Sequence, residues 1–446
     1  MPRTMPVITR PPFPRFSCGA EATNSSDARI LILVKARPSS PSSSAQPSSA
    51  QPVERPYQPV AAPESVPLLD LRRQYHAIRE DVLTAITRVC DSQSYILGPE
   101  VEALEGEIAA LTGAACAVGC ASGTEALWLA LVAAGVKPGD SVITTPFSFF
   151  ASASSIVRAG AQPIFVDVDA DTLNLDPTLV ARRLRGKPPE GVRAILPVHL
   201  YGQCADMDRF DDLANEFGFA IVEDAAQAIG AEWNGRGAGS LGVTAAFSFY
   251  PTKNLSAYGD AGIVTTTSPE MAEHMKRLRN HGSPQRYYHD EFGWNGRMDA
   301  IQAAVLRVKL SHIKDWNQSR RQHAALYDQL FAGAGLISSQ TSGSSATPVR
   351  LLGRSPQAKH VFHQYVIRAD RRDELRQFLA ERKIGSEIYY PLPLHLQPVF
   401  SYLGLKAGDL PVAELAAREV LALPMFPELS EAEIRRVVES IADFYS

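Results

Sequence analysis

The chain has 446 residues, of which 45% are hydrophobic and 21% charged, so it is long enough for two globular domains rather than one compact core. The formal net charge is -4 and the acidic and basic residues are interspersed, which disfavours nucleic acid and anionic membranes as partners. The five cysteines include no CxxC pair, which argues against a disulfide framework or a zinc site and favours a reducing cytoplasm. No apolar run in the sequence approaches the ~20 residues that span a bilayer.

Residues 1–65 are rich in Pro, Ser, Ala and Gln and have little apolar periodicity, which predicts a disordered extension. This segment contains arginines and few acidic residues before residue 40. A transit peptide, an incorrectly assigned start site and a plain linker are therefore alternative interpretations. Ordered sequence is predicted to begin at about residue 66, because apolar residues recur at helical spacing from Tyr75 to Val89.

From residue 115 onward, short β-type runs alternate with helical stretches, which is typical of a mostly parallel sheet covered by helices. The predicted strands are ACAVGCAS, SVITTP, PIFVDVD, AILPVHL, FAIVEDAA and residues 245–250. Helices are predicted at 124–135, 150–159, 206–217 and 269–280, followed by one long helix over 299–330.

A Gly/Ser-rich break at 341–347 separates this pattern from a shorter one near the C-terminus. There the predicted elements are a strand at 360–369, a helix at 373–382, a strand at 386–390 and helices near 412–421 and 430–444. We therefore predict an α/β protein with a large domain over 66–330, which contains the mostly parallel sheet, and a smaller α+β domain over 331–446.

Lys253 lies in the run AAFSFYPTKNLSAYGDAGIVTT, most of whose residues are apolar, hydroxylic or glycine. An ordinary exposed loop lysine is one interpretation of this pattern. The other is an amine held for chemistry, because desolvation lowers the pKa of a lysine and a neutral amine attacks carbonyl groups. The surrounding motifs have to decide between the two.

Other motifs supply groups that an organic phosphate would need. The SGT run at 122–124 ends a strand and opens a helix, so it offers N–H groups and a hydroxyl to a phosphate, and Ser248 offers another hydroxyl; all are also ordinary cap or core residues. Asp224 ends a strand at the sheet edge where ligands bind, although a helix cap is equally reasonable. Phe149 belongs to an aromatic cluster that could stack on a planar cofactor or simply fill the core.

Pyridoxal 5'-phosphate requires four things of a protein: a phosphate-binding site, an acid at a sheet edge, an aromatic ring and an isolated lysine. The lysine forms an imine with the cofactor, the acid keeps the pyridine nitrogen protonated, and the aromatic ring packs on the cofactor ring. Their joint occurrence favours the functional interpretation of each motif.

The chain also resembles a known family. The segments SGTEAL, PVHLYGQCADMD, VEDAAQAIGA, SFYPTKNLSAYGDAG and WNGRMDAIQAAVL are similar to successive motifs of the DegT/StrS family of sugar-nucleotide aminotransferases, from about residue 66 to the C-terminus. The resemblance implies a type I aminotransferase fold, bound pyridoxal 5'-phosphate and a homodimer with active sites at the subunit interface. It also implies amino transfer from an amino acid, L-glutamate, to a keto-sugar nucleotide in amino-sugar and polysaccharide biosynthesis.

The same resemblance assigns roles to individual residues. Lys253 is the Schiff-base lysine and the proton carrier, and Asp224 is the partner of the pyridine nitrogen. The other predicted cofactor contacts are Gly123, Thr124, Phe149, Gln227, Ser248 and, from the neighbouring subunit, Asn295. The predicted substrate contacts are Arg297, Tyr389 and Tyr390; no metal is predicted. Asn295 and Arg297 could instead be a turn residue and a surface charge.

Some positions depart from the family pattern. Many members have Asn at the position of Ser122 and His at that of Tyr389, a position predicted to contact the sugar. Ser256 stands where glycine is frequent and has no predicted role. Dehydratase members have His in place of Lys253, which favours transfer over dehydration, and the PVHLYGQCADMD and YGDAG segments favour amination at C3 over C4. The alternatives are a pyridoxal-dependent sugar dehydratase and a non-catalytic regulator, although the sequence has no basic helix-turn-helix.

Overall fold

The structure, a computed structural model, describes residues 64–186, 190–337 and 347–446. The extension predicted over 1–65 therefore lies outside the described residues, apart from Glu64 and Ser65. Within the described ranges, no helix is long and apolar enough to cross a membrane.

The helices and strands follow the predicted alternation closely. The helices are α1 (Leu71–Ser92), α2 (Pro99–Thr112), α3 (Gly123–Ala133), α4 (Ala151–Arg158), α5 (Pro177–Arg185), α6 (Met207–Phe217), α7 (Pro269–Leu278), α8 (Ala300–Leu310), α9 (Ile313–Gly333), α10 (Arg372–Glu381), α11 (Pro411–Glu419) and α12 (Glu431–Tyr445). The strands are β1 (Cys116–Cys120), β2 (Ser141–Thr144), β3 (Gln162–Phe165), β4 (Val192–Leu196), β5 (Ala220–Asp224), β6 (Glu232–Trp233), β7 (Arg236–Gly237), β8 (Thr244–Ser248), β9 (Gly262–Thr266), β10 (Val349–Leu351), β11 (Ala358–Lys359), β12 (Tyr365–Ala369) and β13 (Val420–Leu423).

A seven-stranded sheet in the order β1-β9-β8-β5-β4-β2-β3 forms the centre of the fold. Strand β9 runs antiparallel to both of its neighbours, β1 and β8, and the other pairings between strands are parallel. Separate hydrophobic clusters cover the two faces of this sheet, which explains why its strands are apolar along nearly their whole length. The predicted α/β class is confirmed.

The C-terminal part of the chain forms a second, three-stranded antiparallel sheet in the order β10-β12-β13. Its core includes the nearly parallel rings of Tyr327 and Tyr365, whose centroids are 4.6 Å apart. The same hydrophobic cluster takes in Val66 and the last turns of α9. The division of the chain near residue 330 stays a prediction.

The structure corrects the predicted elements at several places. The helix predicted near 412–421 ends at Glu419, and strand β13, which was not predicted, follows directly. The helix predicted over 299–330 is interrupted between α8 and α9, where the His312 N–H donates to the carbonyl of Lys309, only three residues back. The strand predicted at 360–369 begins only at Tyr365, because Phe362 has a φ of 44° and lies outside the β region. The strand predicted at 386–390 is reduced to one isolated bridge between Glu387 and Ala422.

Candidate active site

A cavity of about 700 Å³ lies at the carboxyl ends of the parallel strands of the central sheet. This is the edge at which open α/β sheets bind ligands, because the loops there supply backbone and side-chain groups from several strands. Nine of the predicted site residues line the cavity: Gly123, Thr124, Phe149, Asp224, Gln227, Ser248, Lys253, Tyr389 and Tyr390. The fold thus gathers residues that are up to 267 positions apart in the sequence.

The N-terminus of α3 forms one end of the cavity. The Ser122 side chain caps the helix by accepting from the Glu125 N–H at 3.1 Å, while Gly123 and Thr124 occupy the first helical positions. A Cβ on Gly123 would come within 2.5 Å of the Ser248 Cβ, so only glycine lets the helix end and the hydroxyl of Ser248 approach so closely. First-turn N–H groups, a helix dipole and a serine hydroxyl together fit a phosphate group.

Asp224 and Glu223 are adjacent buried carboxylates at the end of β5 with different surroundings. Glu223 accepts from the N–H groups of Gly239, Leu241 and Gly242, each at 2.8 Å, and contacts His199 Nε2 at 2.9 Å. All of its acceptor capacity is used inside the protein, so Glu223 is a structural residue.

Asp224, by contrast, lines the cavity. Its Oδ2 accepts from the Ser152 hydroxyl at 2.7 Å, and its Oδ1 accepts from the Ala226 N–H at 3.2 Å. Burial raises the pKa of Asp224, whereas these two hydrogen bonds and the charge of Lys253 oppose the rise. A buried carboxylate of this kind is stabilised by a cation beside it, which a protonated pyridine nitrogen would supply.

Lys253 also lines the cavity, and its side-chain amine makes no hydrogen bond within the described ranges. Desolvation lowers the pKa of Lys253 to about 8, although the nearby Asp224 carboxylate acts in the opposite direction. A larger share of this amine is therefore neutral near pH 8 than of an exposed lysine, and only the neutral form attacks a carbonyl carbon.

The loop after Lys253 is held at alternate residues by side chains of α8 and α9. Asn254 donates to Asn317 Oδ1 at 2.9 Å, Ser256 accepts from Lys309 Nζ at 2.9 Å, and the Tyr258 N–H donates to Gln302 Oε1 at 2.8 Å. Ser256, for which no role is predicted, thus serves as an anchor point of the loop.

Gln227 and the predicted aromatic residues complete the wall. Gln227 Oε1 accepts from the Tyr201 N–H, and its Nε2 donates to the Tyr390 hydroxyl at 3.1 Å, so both ends of the amide are held. Phe149 is 61% exposed at the cavity, whereas Phe147 is fully buried. Of these two phenylalanines, only Phe149 is free to cover a planar ring.

Asn295 and Arg297 are not among the residues that line the cavity. Asn295 is exposed and forms an isolated bridge with Asn280, and Arg297 Nη1 donates to Asn280 Oδ1 at 2.8 Å. The structure therefore does not bring these residues to the site of their own chain, and their action in the site of a neighbouring subunit stays a prediction.

Ser152, His363 and Gln364 also line the cavity, although no sequence motif predicted them. Ser152 is recognisable only through its contact with Asp224, because a serine in the first turn of a helix carries no distinctive signal. His363 and Gln364 lie just before β12, inside a segment whose predicted role was purely structural.

Comparisons with known proteins agree with this geometry. The model of the DegT/DnrJ/EryC1/StrS aminotransferase family matches residues 76–442. The dTDP-3-amino-3,4,6-trideoxy-alpha-D-glucose transaminase of Streptomyces venezuelae is 43% identical over 380 residues, which are 85% of this chain and 96% of the relative. The "pleiotropic regulatory protein" of Geobacillus stearothermophilus is 50% identical over 381 residues, 85% of this chain and 99% of the relative.

Solved structures lead to the same family. The crystal structure of Streptomyces venezuelae DesV, in complex with a ketimine intermediate, matches with a TM-score of 0.80 and 43% identity, covering 85% of this chain and 98% of that chain. The crystal structure of Bacillus subtilis NtdA, with bound cofactor PMP, matches with a TM-score of 0.77 and 28% identity, covering 86% of both chains.

These matches confirm the predicted type I aminotransferase fold and the pyridoxal phosphate cofactor. The residues present fit that cofactor, because a helix N-terminus, a buried carboxylate and an amine of lowered pKa surround one cavity. The chain belongs to the DegT/DnrJ/EryC1/StrS aminotransferase family.

Proposed function

We propose that this enzyme transfers the amino group of L-glutamate to the C3 keto group of a nucleotide-linked sugar, in the cytoplasm, as a step of amino-sugar biosynthesis. The observation that carries the proposal is the position of Lys253 and Asp224 on the wall of one cavity with the N-terminus of α3. Three relatives support the choice of C3, since their names describe 3-amino or 3-dehydro sugars linked to dTDP or UDP.

Each residue has a defined task in such a transfer. Bound pyridoxal phosphate supplies the electron sink that makes the Cα proton of the amino acid acidic. Lys253 Nζ takes that proton in the first half-reaction and returns a proton to the sugar carbon in the second. The buried carboxylate of Asp224 would stabilise the positive charge of the cofactor's pyridine nitrogen. The N-terminus of α3, at Gly123 and Thr124, would bind the cofactor's phosphate group.

The site is tested most directly in the reverse direction. Purified enzyme is incubated with 2-oxoglutarate and a set of dTDP- and UDP-linked 3-amino and 4-amino sugars, and formation of glutamate is measured. We expect glutamate with at least one 3-amino sugar and turnover of the 4-amino counterpart that is slower by about tenfold or more. The Lys253→Ala variant is the control for background reaction.

Two results would contradict the proposal in different parts. Faster turnover of 4-amino sugars would overturn the choice of C3 alone. Absence of turnover with every sugar, in protein that shows the visible absorbance of bound cofactor, would overturn the sugar substrate. The names of two relatives refer to regulation or sensory transduction, and a non-catalytic regulator would bind nucleotide sugars without producing glutamate.

A homodimer with composite sites is the second part of the proposal. Asn295 is exposed beside Trp294, which is 51% exposed, and Phe292, which is 96% exposed. Exposed aromatic residues this close together are typical of a surface that a partner covers. A second copy of the chain would cover them and place Asn295 and Arg297 near the other subunit's cavity.

Mixing two impaired variants tests this arrangement. Heterodimers of Lys253→Ala and Asn295→Ala contain one site with both substitutions and one with neither, so random exchange should restore about a quarter of wild-type activity. The Asn295→Ala parent should be impaired because a lost hydrogen bond to a charged group costs about 1.5–3 kcal/mol. Proven exchange between two impaired parents without recovery would place Asn295 outside the partner's site.

A further inference from the structure

His363 and Gln364 are consecutive polar residues on the wall of the cavity that the transfer chemistry does not use. The backbone beside them is fixed by Arg320, whose Nη1 donates to the carbonyls of Phe362 at 3.1 Å, His363 at 3.3 Å and Met425 at 3.0 Å. His363 itself is only 9% exposed. His363 is therefore a buried polar residue on a fixed backbone, and the hydrogen-bond partners of its two ring nitrogens have to be identified.

The hydrogen bonds of Asn254 fix which nitrogen of His363 carries a proton. Asn254 Nδ2 donates to Asn317 Oδ1 at 2.9 Å and to the Val361 carbonyl at 3.2 Å, so Asn254 Oδ1 is left as an acceptor. His363 Nδ1 lies 3.1 Å from that oxygen and must therefore be the donor. In the neutral ring, His363 Nε2 then has a free lone pair.

The surroundings of His363 keep its ring neutral. Desolvation is the main cause that lowers the pKa of His363 well below its usual value, and the charges of Lys253 and Arg320 add to it. His363 Nε2 makes no hydrogen bond to any described residue, and this nitrogen is not fully enclosed by protein atoms. It is therefore an acceptor left open on a residue of the cavity wall.

Gln364 lines this cavity and also a second, smaller one. Its Oε1 is buried and has no hydrogen-bond partner in the described part of the chain. An unsatisfied buried amide oxygen costs free energy, so such atoms are rare unless a ligand or a water molecule completes them.

The charges around these acceptors decide what kind of group they bind. The lone pair of His363 Nε2 repels carboxylate and phosphate oxygens, which disfavours the anionic parts of the donor and of a nucleotide at this atom. A ligand cation is disfavoured by the charges of Lys253 and Arg320, which already act on His363. A neutral hydrogen-bond donor remains, and on a sugar that donor is a hydroxyl group.

We propose that His363 and Gln364 form a subsite that binds a hydroxyl group of the sugar through His363 Nε2 and the Gln364 carboxamide. This inference rests on the proposed function and extends it, because it names the residues that distinguish the sugar from the amino donor. Both substrates use the same Lys253, so a subsite that only one of them occupies would let the enzyme treat them differently.

Binding measurements on the holoenzyme test the subsite. Calorimetry compares wild type, His363→Leu and His363→Gln, with dTDP-3-amino-3,6-dideoxy-D-galactose or its UDP-linked 3-amino counterpart as one probe and free dTDP or UDP as the other. We expect His363→Leu to bind the amino-sugar nucleotide about tenfold more weakly and the free nucleotide within about twofold of wild type. His363→Gln keeps a polar group near the position of Nε2 and should recover part of the loss.

Equal binding of the amino-sugar nucleotide by wild type and His363→Leu would overturn the subsite, and so would an equal loss for the free nucleotide. If His363→Leu fails to fold, judged by melting and by the cofactor's visible absorbance, Gln364→Met in the same assay decides by the same criteria. A slower half-reaction with L-glutamate alone would also contradict a role confined to the sugar. Failure of the wild-type enzyme to bind either amino-sugar nucleotide would instead count against the proposed function.

Discussion

Lys253 and Lys309 have the same lowered pKa, about 8, in two different regions of the molecule. Desolvation is the main cause for both. Lys309 is only 2% exposed, donates to Ser256 Oγ and lies 4.4 Å from the centre of the Tyr258 ring, whereas Lys253 faces the cavity. A lowered pKa thus reports burial, and only its combination with a cavity indicates chemistry.

Replacing Lys253 and Lys309 in separate variants should give the largest difference in activity. Lys253→Ala should lower the transamination rate by a factor of about 10³ or more, because it removes both the anchor and the proton carrier. Lys309→Met removes an amine of the same pKa and should keep most of the activity, because Lys309 is not among the residues that line the cavity. Steady-state rates and thermal melting of both variants measure this contrast.

The comparison would fail if Lys253→Ala retained a substantial rate. It would also fail if Lys309→Met were as inactive as Lys253→Ala at a temperature where both are folded, since Lys309 would then act on the reaction and not only on the loop.

The adjacent carboxylates Asp224 and Glu223 allow the same comparison between a residue that lines the cavity and one that is enclosed by protein. Asp224→Asn should lower the rate by about a hundredfold, because an amide no longer stabilises a positively charged pyridine nitrogen. Glu223→Gln should instead cost about 1.5–3 kcal/mol of unfolding free energy, since one end of a glutamine amide cannot accept the backbone N–H groups that both carboxylate oxygens of Glu223 accept. Kinetics and denaturant unfolding of the two variants separate these effects, and the reverse pattern would exchange the two roles.

The smallest expected effect is a pH dependence of stability that comes from Lys309. Its pKa is about 8 in the folded protein and near the ordinary 10.5 when unfolded, so between these values the unfolded chain binds more protons. Stability should therefore gain from Lys309 as the pH rises from 8 to 10.5, whereas the full penalty is present below pH 8. The difference in unfolding free energy between wild type and Lys309→Met measures it, because Lys253 and the tyrosines titrate in both proteins.

A difference that stays constant across this pH range would show that Lys309 keeps an ordinary pKa in the folded protein. Lys309 would then no longer be a fair comparison for Lys253.

Much of the fold could be predicted from the sequence, because strands buried on both faces read as short apolar runs and six of the twelve described helices begin at a side-chain N-cap. Strand β9 was not predicted, although GIVTT is a β-branched run, and its antiparallel direction is defined only by its pairing with β1 and β8. The break between α8 and α9 was missed because no glycine or proline marks it.

The candidate site was predictable where a motif has a fixed chemical task, as for Lys253 and Asp224. The motif alone did not show that Glu223 is enclosed and Asp224 open, because that depends on the turn at Gly239–Gly242, which follows in the sequence. His363 gave no signal at all, since its position on the cavity follows from Arg320 and Asn254, which are distant in sequence.

The anchored loop after Lys253 has a consequence for how the lysine moves. Because Asn254, Ser256 and Tyr258 are each held by a separate side chain of α8 or α9, the backbone there has little freedom to shift during turnover. The amine must therefore swing between its resting position and the reacting carbon by rotating its own side-chain bonds. The distance that the amine can cover is therefore set by the four methylene groups of Lys253. The direction of the side chain is set by α8 and α9, which hold the loop.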